Sequence, residues 1–248
     1  MSRAWIRQFH PAPEAGTSLV CFPHAGGSAT FYFPVSRALA PGVDVLAVQY
    51  PGRQDRMNEP CVDDIPTLAD LIADELTPWA DRPMTLFGHS MGATIAFEVA
   101  RRLEARGIVP LGLFASGRRA PSTHRDEQVH LRDDEGLISE LRRLSGTDAG
   151  VLADETMLRL VLPAMRGDYR AVETYRYRPG PPLNCPVTVL TADDDPLVEL
   201  GEARAWARHT VAPFRLRVFT GGHFFITAHA ETVVQEIAAH IDAAAARR

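Results

Sequence analysis

The sequence predicts an α/β chain: a mostly parallel central sheet flanked by helices, with a block of helices inserted late in the fold. Three observations predict it. Short apolar runs, such as Ser18-Leu19-Val20-Cys21-Phe22 and the stretch 43–48, alternate with stretches whose apolar residues recur every three to four positions. The runs are apolar throughout instead of alternating with polar residues, which marks strands buried on both faces, as parallel strands between helix layers are. From about 117 to 182 the strand rhythm stops, and only helical patterns remain before it resumes.

The elements follow in order. Residues 1–17 are polar and dotted with proline, a lead-in with one short edge strand. Residues 18–22 form a buried strand and 23–28 the turn after it. Residues 30–39 form a helix with Pro34 in its first turn, where a missing N–H costs nothing. A strand over 43–48 and a loop over 50–56 precede a helix over 65–79. The run 84–87 then breaks at Gly88-His89-Ser90-Met91-Gly92, and a helix follows at once, with Ile95, Val99 and Leu103 four apart and Gly107 as its stop. Another strand covers 111–116. In the inserted block, 133–144 is an amphipathic helix with acids at its start and arginines at its end, matching the helix dipole. Residues 154–177 read as further helix, broken or kinked near Pro163. The block closes at Pro179-Gly180-Pro181-Pro182 and reads as a lid over the sheet, forming an acyl pocket, within one domain spanning 1–248. Sheet rhythm returns with a strand over 186–191, a helix over 199–209, a strand over 214–219 and a closing helix over 230–245.

Composition narrows the function. The chain has 248 residues, 46% hydrophobic and 23% charged, enough apolar material for a sizeable core. A net charge of −5 argues against nucleic-acid binding. All 26 basic residues are arginine, which removes lysine Schiff-base chemistry. Cys21, Cys61 and Cys185 are scattered and show no metal-site spacing, so neither a metal nor a disulfide framework is expected, and a reducing cytoplasm fits. The N-terminus lacks the apolar core of a signal peptide, and no apolar run approaches the ~20 residues of a membrane span.

Gly-x-Ser-x-Gly between a strand and a helix is a nucleophile elbow: the serine sits at a strained apex, and the flanking glycines avoid collision with the neighbouring strand and helix. The helix that starts there aims free N–H groups at the reaction centre. A nucleophilic serine needs a base, and the base an orienting acid. His223 follows an apolar strand and two glycines, so it sits in a tight loop at a strand end. Asp193, Asp194 and Asp195 follow the preceding strand; Asp195 is the preferred acid, with Asp193 or Asp194 capping the turn. The chain order Ser, Asp, His is that of α/β-hydrolases. His10, His124, His130 and His240 read as solvated, His209 as a helix-end residue, and His89 as pointing away from the reaction. The oxyanion donors are the N–H of Met91 and an N–H of the glycine-rich loop after the first long strand, best assigned to Ala25, with His24 anchoring the loop.

Five motifs now stand in order: Phe22-Pro23-His24-Ala25-Gly26-Gly27-Ser28, Tyr50-Pro51-Gly52-Arg53 with Arg56, Gly88-His89-Ser90-Met91-Gly92, Asp195-Pro196, and Gly221-Gly222-His223-Phe224-Phe225. Together they resemble the type II thioesterases of polyketide and nonribosomal peptide assembly lines, over nearly the whole chain. The resemblance implies an α/β-hydrolase fold and a discrete editing enzyme that removes stalled acyl groups from the phosphopantetheine arm of acyl or peptidyl carrier proteins; the chemistry needs no cofactor, and a monomer is expected. It implies the same triad, Ser90, Asp195 and His223, and the same oxyanion donors, Ala25 and Met91. Arg53 is expected as a structural salt bridge ahead of a phosphopantetheine or carrier contact. Arg118 and Arg119 stand as candidate contacts for an acidic carrier, against a plain solvated surface.

Overall fold

The computed structural model describes residues 5–144 and 155–246. Seven strands build one sheet: β1 (Ile6–Arg7), β2 (Ser18–Phe22), β3 (Asp44–Val48), β4 (Met84–His89), β5 (Gly112–Ser116), β6 (Val187–Ala192) and β7 (Phe214–Phe219). Their order is β1-β3-β2-β4-β5-β6-β7, with β1 antiparallel to β3 and every other pairing parallel. The helices are α1 (Phe33–Leu39), α2 (Ile65–Leu76), α3 (Met91–Ala105), α4 (Asp134–Leu144), α5 (Glu155–Thr174), α6 (Leu200–Arg204), α7 (Phe225–Ala228) and α8 (Ala230–Ala245).

Successive strand side chains point to opposite faces, so each central strand feeds two cores. Val20, Phe22, Leu46, Leu86, Leu113 and Val187 pack with α2 and α3 on one face. Leu19, Cys21, Val45, Phe87, Phe114 and Leu190 pack with α1 and α8 on the other. This double burial is why the strands read as unbroken apolar runs. The edge strand β7 differs: its burial alternates, and Arg215 and Arg217 reach Glu236 of α8.

The order of the first strands positions the site. β3 and β4 flank β2 on opposite sides. The chain leaves β2 towards the α1 face and leaves β4 towards the α3 face. The loops after β2 and β4 therefore part at the carboxyl edge of the sheet and leave a crevice, the topological switch point of an open parallel sheet.

Some elements differ in detail from expectation. The helix expected over 30–39 begins with a tight 3-10 turn, Ala29–Tyr32, and the one expected over 65–79 ends in another, Thr77–Trp79, where Pro78 removes a backbone donor. The stretch 199–209 is a short α-helix, opened by a Glu199–Glu202 capping box, that tightens into Ala205–His209. α5 runs without a break through Pro163. The turn that Pro163 interrupts carries exposed Arg159 and Leu160, so the carbonyl left without its N–H lies on the outer side of the helix. The expected start at Asp154 lies outside the described residues. α4 and α5 share an apolar cluster of their own, with Leu137, Leu141, Leu158, Leu162 and Met165. Among the described residues no helix is long and apolar enough to cross a membrane.

Candidate active site

Ser90 stands between β4 and α3 with φ 55° and ψ −119°, a left-handed conformation that is costly for a residue bearing a Cβ. Two close approaches hold it there. A methyl group on Gly88 would lie 2.1 Å from the Gly92 carbonyl oxygen, and one on Gly92 would lie 2.1 Å from that of Phe22 in β2. Both glycines are therefore dictated by packing, as the spacing predicts. The Ser90 N–H donates to the Ser116 carbonyl at the end of β5, 2.8 Å away.

The loops after β6 and β7 bring the acid and the base together. Asp193 N–H donates to the Phe219 carbonyl, Asp194 N–H to that of Gly221, and Gly221 N–H to the Asp193 carboxylate, so the two loops are laced to each other. Asp193 thus holds the turn, and Asp195 turns inward. His223 Nδ1 lies 3.0 and 2.9 Å from the two Asp195 carboxylate oxygens, and His223 Nε2 lies 3.0 Å from Ser90 Oγ. With Nδ1–H donating to the carboxylate, Nε2 is left as the acceptor for the serine proton. Asp195 also accepts the Leu197 N–H at 2.9 Å, which fixes the carboxylate. Both partners are almost fully buried.

Two further histidines box in this base. The His89 ring lies 5.0 Å from that of His223, with its Nδ1 3.0 Å from Ser116 Oγ. His24 packs edge-on against Phe31 and Phe224, and a methyl on Gly27 would meet its ring at 2.9 Å. Burial first, and then the nearby His223, lower both: His24 falls to about 3 and His89 well below its ordinary value. Both are neutral at pH 7. His89 lines neither space that meets Ser90; it points away from the reaction to Ser116 and packs behind the His223 ring.

In the loop after β2, Gly27 N–H is engaged by the His24 carbonyl and Gly26 N–H by Asp168, leaving that of Ala25. Met91 is the first residue of α3, where N–H groups have no intrahelical partner. Ala25, Met91 and Ser90 line one cleft. A cavity of about 420 Å³ opens from Ser90 and His223 towards the helical insertion, walled by Leu141, Leu160, Val161, Ala164 and Met165.

Arg53 is nine-tenths buried and grips the Asp168 carboxylate of α5 with both terminal nitrogens, at 2.7 and 2.9 Å, while also reaching the Gly27 carbonyl at 3.2 Å. Burial alone lowers its proton affinity, but the charge and hydrogen bonds of Asp168 outweigh that and raise it. Its main engagement is the salt bridge, although it also lines the cavity. Asp168 is the residue that sequence reasoning missed. It joins the insertion to the loop bearing Ala25, yet it lies 115 residues from Arg53, and no local pattern marks it.

Arg118 and Arg119 are both buried, so neither belongs to a solvated surface. Arg119 is bound by Glu127 and the Leu197 carbonyl inside the fold, which removes it as a carrier contact. Arg118 lines the Ser90 cleft. The four histidines read as solvated are also engaged: His10 Nδ1 meets Ser36, His124 the exposed Asp126 and His130 Nδ1 the buried Glu173, and His240 packs on Phe114 and bonds the Leu111 carbonyl. His209 is buried against Trp206 and bonds Ser122.

Comparison with known proteins follows the same lines. Residues 17–243 match the model of the thioesterase domain family. The chain is 60% identical over 234 residues to the probable cadicidin biosynthesis thioesterase of Streptomyces griseus, covering 94% of this chain and 65% of that protein's length. It is 50% identical to thioesterase PikA5 of Streptomyces venezuelae, covering 97% and 86%. Among solved structures, the type II thioesterase BorB from the borrelidin biosynthetic cluster superposes with a TM-score of 0.91 at 56% identity, covering 97% of this chain and 98% of that one.

Proposed function

The chain belongs to the thioesterase domain family, and from that premise we propose that it hydrolyses acyl thioesters on the phosphopantetheine arm of acyl or peptidyl carrier proteins, clearing stalled or aberrant chains from polyketide or nonribosomal peptide assembly. The observation that carries this reading is the line Asp195–His223–Ser90, within hydrogen-bond distance throughout and opening on an apolar cavity.

The reaction follows from that line. His223 Nε2 takes the Ser90 proton as Oγ attacks the thioester carbonyl. The developing oxyanion receives the N–H groups of Ala25 and Met91, with the positive end of α3 behind Met91. Asp195 holds the imidazole in its tautomer and stabilises the imidazolium. The thiol leaves with the proton from His223, which then activates water to release the acid. The cavity between Ser90 and the helical insertion takes the acyl chain, and the residues around 117–182 act as its lid.

The test is release of acid from a panel of acyl–carrier proteins, alongside the same acyl groups on pantetheine, with Ser90→Ala as the blank. Faster Ser90-dependent release from the carrier is the expected result. Equal or better cleavage of pantetheine thioesters or of simple esters would instead identify a general esterase.

A further inference from the structure

Arg118 is left without a task by the reaction above. It is only 9% exposed, yet its Nε–H to Thr94 Oγ1, at 3.2 Å, is the one hydrogen bond of its side chain among the described residues. Among the described residues no carboxylate forms an ion pair with it. The acids that line the same cleft are already engaged: Glu127 by Arg119, Glu140 by Arg143, Glu173 by His130 and Asp126 by His124. Its terminal nitrogens are not among the fully buried polar atoms, so they reach the solvent of the cleft without a protein acceptor, on a residue that is otherwise buried. Burial, and then the charge of Arg119, lower its pKa to about 10, so it stays a cation at neutral pH in surroundings that disfavour one.

Its location is specific. Arg118 lines a cleft of about 880 Å³ that Ser90, Met91 and Ala25 also line. The preceding residue, Gly117, stands against His89 and, behind it, the catalytic base: a methyl there would lie 2.6 Å from His89 Cε1 and 3.4 Å from His223 Cε1. Its partner Thr94 lies one turn into α3, about 6 Å along the axis from Ser90. The cleft is the more polar of the two spaces that meet at Ser90, the other being the apolar cavity beneath the insertion.

We propose that Arg118 forms an oxyanion-binding subsite of the Ser90 cleft, taking an anionic group of the acyl–carrier substrate, either the phosphate of its arm or a carboxylate on its acyl chain. The proposal rests on the thioesterase reading. Its two terminal nitrogens carry four N–H groups in a planar fork, the geometry that grips two oxygens of a phosphate or carboxylate at once. An arriving anion supplies a direct partner, where Glu127 and Glu202 act on Arg118 only through their charge.

The test compares Arg118→Gln with the unaltered protein on two matched donor pairs. One pair is a butyryl thioester of pantetheine with and without the terminal phosphate. The other is the N-acetylcysteamine thioester of glutarate with its far carboxylate free or methylated. The quantity read is the ratio of kcat/KM for the anionic donor to that for its neutral match. The expected result is a fall of roughly tenfold in that ratio for one pair, partly restored by Arg118→Lys. A fall in the phosphate pair assigns the subsite to the arm, and a fall in the carboxylate pair assigns it to the acyl chain. An equal loss on both members of each pair, as a purely structural role would give, or unchanged ratios in both, overturns the proposal. If the unaltered protein cleaves none of the four donors, the thioesterase reading fails. Calorimetric titration with phosphopantetheine and with glutarate then decides the subsite: binding weakened roughly tenfold by Arg118→Gln keeps it, and equal or absent binding removes it.

Discussion

At Ser90 a strained backbone and a buried hydrogen-bond chain meet in one residue. Replacing it with alanine leaves the elbow in place and removes the nucleophile, so thioester hydrolysis should fall by about four to six orders of magnitude. Asp195→Asn should lose about four orders, because the imidazole is then held in the wrong tautomer. Asp193→Asn should keep activity within about one order, since that side chain supports the turn through the Gly221 N–H. A larger loss at Asp193 than at Asp195 in single-turnover assays would reassign the acid. The buried histidines set the acid stability. His24 and His209, lowered by burial to about 3 and about 4, bind their protons less readily in the folded chain than in the unfolded one. The unfolded state thus takes up more protons as pH falls below about 6.5, and the stability present above that value is lost towards pH 4. Urea titrations across this range should show it, and His209→Gln should flatten the curve.

Among the elements, α5 is tied to the loop after β2 by a single carboxylate. Asp168 accepts from Arg53 twice and from the Gly26 N–H once. Asp168→Ala would leave Arg53 buried and unpaired, at a cost of about 3–5 kcal/mol in urea denaturation. The double replacement Arg53→Met with Asp168→Leu should recover most of that stability. It should not recover kcat/KM, because the Gly26 N–H still lacks its acceptor and the neighbouring Ala25 donor is no longer fixed. Full recovery of rate in the double variant would show that the bridge serves stability alone. The elbow is equally intolerant. Gly92→Ala sets a methyl against the Phe22 backbone, which has no flexible side chain to yield, so β2 and α3 would have to separate.

For the whole molecule, α4 and α5 line a cavity at the carboxyl edge of the sheet, and under the proposed function the size of that cavity sets which acyl groups fit. Ala164 lines that cavity from α5 and is itself 4% exposed. Ala164→Phe should shift preference towards shorter acyl groups in competition assays, with little change in the reaction of the shortest thioester; an unchanged chain-length profile would remove the insertion from substrate selection. The strands, the elbow and the candidates Ser90, Asp195 and His223 were legible in the sequence because each depends on local chemistry: double burial makes strands apolar, a tight apex requires Gly88 and Gly92, and loops at strand ends carry Asp195 and His223. Tertiary structure alone decided the rest. Which aspartate meets His223 depends on how the loops after β6 and β7 are laced. The engagement of Asp168 with Arg53, the burial of Arg118 and the packing of His89 behind the base all arise between segments distant in sequence. Periodicity and turn chemistry act over a few residues, whereas burial and charge pairing are properties of what the folded chain brings together.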